Sequence, residues 1–145
     1  MSKLFLVDGQ FEIFRCFYGS PRAIAPDGRE VGAVRGLRHS LIALFQEHGP
    51  THMAVAFDRA IAPVGISESR EDDDALIHRQ YGLAADAVRA LWIAIRPMVR
   101  VEADDAIATG VVRYSREPEL EQTVIASSDT DFTQCVRGDE VVRYN

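Results

Sequence analysis

Lys3-Leu4-Phe5-Leu6-Val7-Asp8-Gly9 is the stretch on which the fold class turns. Apolar residues follow one another without alternation and end at an acid and a glycine, the pattern of a strand covered on both faces. The design returns twice: His52-Met53-Ala54-Val55-Ala56-Phe57 runs into Asp58, and Gln122-Thr123-Val124-Ile125-Ala126-Ser127 runs through Ser128 into Asp129. Between the first two lies a helical stripe of Val34, Leu37, Leu41, Leu44 and Phe45, with Gly49-Pro50 as its stop. The spacing predicts further helices over residues 84–95, with Val88, Leu91, Trp92 and Ile95 inward, and over residues 103–115, with Ile107, Val111 and Tyr114 inward. Pro97 and Pro118 close them. Residues 20–30, rich in Pro, Gly and Asp, read as a loop, Met98-Val99-Arg100-Val101 as a short strand, and Val141-Val142-Arg143-Tyr144 as a last edge strand. Buried strands alternating with helices specify an α/β fold on a mainly parallel sheet, where ligands collect at the carboxyl ends of strands.

The 145 residues suit one domain, and 47% hydrophobic with 26% charged residues is ordinary globular composition, which argues against disorder, collagen and coiled coil. No window approaches the roughly 18 apolar residues of a membrane span, and Asp8 interrupts the amino terminus before a signal-peptide core forms. No membrane partner is expected. Cys16 and Cys135 lack CxxC spacing and read as reduced thiols of a cytoplasmic protein, without structural zinc. A net charge of −6 argues at first against a nucleic-acid partner. Of the 22 acids, however, seven fall in four short clusters: Asp8; Asp58; Glu102, Asp104 and Asp105; Asp129 and Asp131. Setting those seven aside leaves 15 acids against 16 Lys and Arg. The rest of the chain is electrically balanced.

One acid after a strand is most simply a helix cap or turn former. Several at equivalent places repel and raise one another's pKa unless a cation sits among them. Oxygen ligands without Cys or His suit hard ions, Mg²⁺ or Mn²⁺. Glu102 and Asp105, three apart at a helix start, are expected to share a face while Asp104 turns aside, and Asp129 and Asp131 at i and i+2 to point into one crevice.

The segments LFLVDG, THMAVAFD, VEADDAI and SSDTDFTQCV, in that order, resemble the four acidic motifs of the 5′-to-3′ exonuclease and flap endonuclease family, which includes the exonuclease domain of bacterial DNA polymerase I. Phe14-Arg15 and the glycine-bearing stretch from Asp27 to Gly36 resemble the connection between the first two motifs. The resemblance covers nearly all of the chain and implies a PIN-like three-layer α/β fold with a central, mainly parallel sheet. It further implies that Asp8, Asp58, Glu102, Asp104, Asp105, Asp129 and Asp131 form a two-metal site for Mg²⁺ or Mn²⁺, with ligands acting directly or through water. The implied reaction is phosphodiester hydrolysis at a DNA 5′ end or flap, with RNA left open as a second substrate. Arg15, Arg35, Arg38 and Arg79 are the implied phosphate contacts, each against the alternative of a solvated helix face. Oligomeric state is left open.

The sequence departs from the family pattern in three places. Where relatives carry a basic arch with Tyr-Lys-x-x-Arg, this chain has Ala75, Leu76 and Arg79, so only the last matches. Five acids against two Arg from Glu68 to Arg79 make that stretch the wrong sign for a phosphate, and it reads as a disordered loop. The connection leading to Glu102 is short. The helix-hairpin-helix region that follows in relatives is absent from residues 1–145, which are expected to form one resolvase-like domain. Two readings of another class remain beside a working nuclease: a degenerate nuclease-like domain that binds metal or a partner without turnover, and an unrelated Mg²⁺ phosphatase. The phosphatase is disfavoured because Gly9-Gln10, not a DxD, follows the first strand.

Overall fold

The computed structural model describes residues 2–58, 73–97 and 102–145. In chain order these form β1 (Lys3–Asp8), α1 (Gly9–Gly19), α2 (Gly32–His48), β2 (His52–Phe57), α3 (Asp73–Ala90), β3 (Ala94–Pro97), α4 (Ala103–Tyr114), β4 (Gln122–Ala126), a 3-10 helix (Thr130–Cys135) and β5 (Val141–Tyr144). The five strands lie in the order β3-β2-β1-β4-β5, and every pairing is parallel. With β1 and β2 central, each needs apolar residues on both faces, which accounts for their unbroken runs.

Successive side chains of a strand point to opposite faces, so one run feeds two cores. Phe5 and Val7 of β1, with Val55 and Phe57 of β2, pack under α1, α2 and α3 together with Ile13, Leu37, Leu41, Ile77 and Val88. Leu4 and Leu6 face the other way, with Ala56 and Ile125, and meet Ile107 and Val111 of α4 and Phe132 of the 3-10 helix. Three layers result, as the fold class predicts. Gly9 is required where α1 crosses β2: a Cβ there would lie 2.6 Å from Val55 Cγ1 and 2.8 Å from the Ala56 carbonyl oxygen. Gly49 ends α2 in the left-handed conformation at φ 54°.

Several expectations are corrected. The helix predicted over residues 84–95 begins earlier, at Asp73, and ends at Ala90. Trp92 is 96% exposed with φ 60°, not inward, and Ile95 belongs to β3, paired with Val55. Leu91 to Ile95 is a short apolar run compatible with either element. Hydrogen bonds from the Leu91 and Ile93 N–H groups to the Val88 carbonyl close the helix before the strand begins. The strand expected at Met98-Val99-Arg100-Val101 lies outside the described residues; the observed β3 precedes it. From Asp73 onward the stretch expected as a disordered loop is helical, with Ile77 buried in the core, while its beginning lies outside the described residues. Phe45 is half exposed because it sits one position, about 100°, round from the inward Leu44. Residues 20–31 form a loop with an isolated antiparallel bridge between Ile24 and Glu30.

A buried amide holds this loop to the helices. Gln80 of α3 is fully buried, and its Oε1 accepts the N–H groups of Ala33 and Val34 at 3.1 and 3.2 Å, capping α2 from another helix. Its Nε2 donates to the Glu30 carboxylate, whose other oxygen accepts from the N–H groups of Ala23 and Gly32.

Candidate functional site

In the order β3-β2-β1-β4-β5 the connections run one way from β1 to β3 and the other way from β4 to β5. A crevice therefore opens beyond the carboxyl ends of β1 and β4. Asp8 closes β1 and caps α1, its Oδ1 accepting the Phe11 N–H at 3.1 Å. Ser127 follows β4, and its hydroxyl donates to Asp8 Oδ2 at 3.2 Å. Asp58 follows β2, and its Oδ1 accepts the Ala103 N–H at 2.6 Å, so it caps α4 across the crevice. Glu102 stands at the cap position of α4 itself and makes no side-chain cap bond. Asp104 Oδ1 accepts the Asp105 N–H at 2.8 Å. Asp129 donates its N–H to Ser127 Oγ at 3.1 Å, accepts the Asp131 N–H on Oδ1 at 2.9 Å, and receives Arg143 Nη1 on its carbonyl oxygen at 3.0 Å.

Asp8, Asp58, Glu102, Asp104 and Asp129 line one cleft of about 270 Å³ with Gln10, Phe11, Phe14 and Ala103. Four separate segments thus deliver carboxylates to one place. Asp105 and Asp131 are exposed and do not line it. Glu102 and Asp104, rather than Glu102 and Asp105, line the cleft. Asp131 is the first-turn acid of the 3-10 helix, where its N–H is turned towards Asp129. A larger groove, about 540 Å³, lies along α4 at Ala108, Val112, Arg113 and Arg116; it contains no carboxylate and shares no residue with the acidic cleft.

Burial pushes the Asp8 carboxyl above its ordinary range, and the nearby charges of Asp58 and Asp129 add to the rise. The Phe11 N–H and the Ser127 hydroxyl oppose it. Among the described residues no Lys, Arg or His forms an ion pair with any of the five cleft acids. Among those same residues no three His, Cys, Asp or Glu side chains close around a common point as metal ligands. In place of a shared centre, Asp8, Asp58, Asp104 and Asp129 each turn an oxygen to a backbone N–H.

Of the four arginines, Arg15 donates to Glu12 at 2.6 Å and to Ser40 Oγ at 3.1 Å, and Arg38 meets His39 Nε2 at 3.1 Å. Arg35 and Arg79 are exposed. None lines the cleft. Sequence reasoning missed Gln10, which lines the cleft and donates Nε2 to the Tyr81 hydroxyl at 2.5 Å, and also Ser127 and Arg143. Only Ser127 carried a signal, a hydroxyl immediately after a buried strand and two residues before an acid.

The fold and the cleft define a doubly wound α/β protein with an acidic site at its topological switch point. Residues 3–145 match the family described as 5′-3′ exonuclease, N-terminal resolvase-like domain, and the chain belongs to that family. It is 33% identical over 149 residues to DNA polymerase I of Mycobacterium leprae, covering 97% of this chain and 16% of that protein. It is 32% identical over 161 residues to a 5′-3′ exonuclease of Mycobacterium tuberculosis, covering 97% of this chain and 49% of that one. The chain thus spans half or less of these relatives. Among solved structures, the bacteriophage T5 5′-exonuclease with bound zinc superposes with TM-score 0.72 at 15% identity, over 98% of this chain and 54% of that one. A T5 flap endonuclease complex with DNA and metal ions superposes with TM-score 0.64 at 16% identity, over the same shares. At that identity the likeness establishes the PIN-like fold. No helix among the described residues is long and apolar enough to cross a membrane.

Proposed function

We propose that this chain is a divalent-metal-dependent nuclease domain that hydrolyses phosphodiester bonds at DNA 5′ ends or flaps. The observation that carries this reading is the meeting of carboxylates from four segments in one cleft, with no cation paired to them among the described residues. An all-oxygen donor set of this kind fits Mg²⁺ or Mn²⁺. Asp8, Asp58, Glu102, Asp104 and Asp129, which line the cleft, would hold such ions together with Asp105 and Asp131, directly or through water. When bound, a pair of such ions supplies an activated water and stabilises the leaving oxygen, so no side-chain nucleophile is needed. Phe14, half exposed at the cleft, offers an apolar wall beside the carboxylates. Arg15, Arg35, Arg38 and Arg79 are assigned to the substrate backbone outside the cleft. The family and the relatives named DNA polymerase I support DNA as the substrate.

A second reading, a nuclease-like domain without turnover, is favoured by the way Asp8, Asp58, Asp104 and Asp129 serve as caps to backbone N–H groups. Single-turnover cleavage of a labelled 5′-flap DNA in Mg²⁺ and in Mn²⁺, beside a matched RNA flap and a small phosphomonoester, separates the readings. Metal-dependent release of the DNA flap is expected. Binding of Mn²⁺ without cleavage of any substrate would establish the non-catalytic reading instead.

A further inference from the structure

We propose that Ser127 is the positioning residue that fixes the Asp8 carboxylate and the backbone of Asp129 relative to one another, so that both acids are held at the cleft where a cation binds. This rests on the metal-dependent reading above and adds a residue outside the acidic set. Val7 pairs with Ala126 in the parallel register of β1 and β4, so the next residues, Asp8 and Ser127, emerge side by side. The Ser127 N–H is bonded to the Tyr144 carbonyl at 3.1 Å, so the residue is held from β5 as well. Ser127 is 2% exposed.

Donor and acceptor directions follow from chemistry. The Asp129 N–H can only donate, so Ser127 Oγ accepts there, and the hydroxyl proton is free for Asp8 Oδ2. With Phe11 N–H on Oδ1, both oxygens of Asp8 are oriented. Arg143 holds the Asp129 carbonyl from the other side, so the peptide carrying that acid is clamped at both ends. A hydroxyl suits the place because it orients two acids without bringing a positive charge. A lysine there would neutralise the pair and compete with the ion. Partners of this type, one bond removed from the ligands, change metal affinity by about 10–100-fold when lost.

The test uses the full 145-residue chain and Mn²⁺ itself as the probe, with affinity read by electron paramagnetic resonance and folding by thermal melting in EDTA. Ser127→Ala is expected to weaken Mn²⁺ binding by about tenfold or more, and Ser127→Thr, which keeps the hydroxyl, to bind within about threefold of the parent. Where Ser127→Ala fails to fold, the nearly isosteric Ser127→Cys, a poor donor, is expected to show the same weakening. Parent-like Mn²⁺ affinity in the Ala or Cys variant overturns the role of Ser127, as does a Thr variant as weak as Ala. A parent chain that binds no Mn²⁺ overturns the metal reading itself, which is a separate outcome.

Discussion

The carboxylate of Asp58 caps a helix 45 residues further along the chain: its Oδ1 accepts the Ala103 N–H at 2.6 Å, while the adjacent Glu102 leaves that N–H alone. One acid thereby ties the end of β2 to the start of α4. Asp58→Ala should cost about 1–2 kcal/mol, the usual value of a lost cap, and lower the melting temperature in EDTA by roughly 3–6 °C. Asp58→Asn keeps an acceptor and should melt within about 2 °C of the parent. Both should lose Mn²⁺ affinity. Equal melting losses in the two variants would refute the cap.

Asp8 is a carboxylate whose surroundings disfavour its charge. Because its folded pKa is raised above the ordinary 3.8, the folded chain binds more protons than the unfolded chain between those two values, and its stability falls as pH climbs through that window. Asp8→Asn keeps the helix cap and removes the charge. In EDTA at pH 7 it should therefore melt higher than the parent, and the advantage should vanish near pH 3, below both values. A constant offset across the pH series would show that charge is not the cause.

Gln80→Leu strips the caps of Ala33 and Val34 and leaves Glu30 without its amide partner. Unsatisfied buried groups cost about 1–3 kcal/mol each, so the melting temperature should fall by roughly 10 °C. Hydrogen exchange in the first turn of α2 should accelerate more than exchange in β1 or β4. Uniform acceleration across all three would mean that the amide is only a packing residue.

Gly9→Ala has no room, since the nearest obstacles are β2 itself at Val55 and the Ala56 carbonyl oxygen. We expect a loss of about 1–3 kcal/mol, the usual cost of an overpacked core, together with displacement of Asp8 and weaker Mn²⁺ binding. Chemical-denaturant unfolding at fixed pH measures the first. A stability within about 0.5 kcal/mol of the parent would show that α1 can move away from β2 freely.

The local pattern of residues by itself determined the three buried strands that end in acids, the helices beginning at Ala103 and carrying Leu37 and Leu41, and the edge strand Val141–Tyr144, because burial on two faces or one leaves a periodic record in a few neighbouring residues. The run from Leu91 to Ile95 left no such record, since helix and strand both tolerate it, and pairing with β2 settled it as β3. Which acids meet was likewise a tertiary matter. Glu102 and Asp104 line the cleft while Asp105 stays outside. The roles of Ser127, Gln80 and Arg143 rest on partners 46 to 119 residues away in the first two cases and 14 residues away in the third. A hydrogen bond between distant segments depends on the register of the whole sheet and on the docking of helices against it, and neither is written into any short window of sequence.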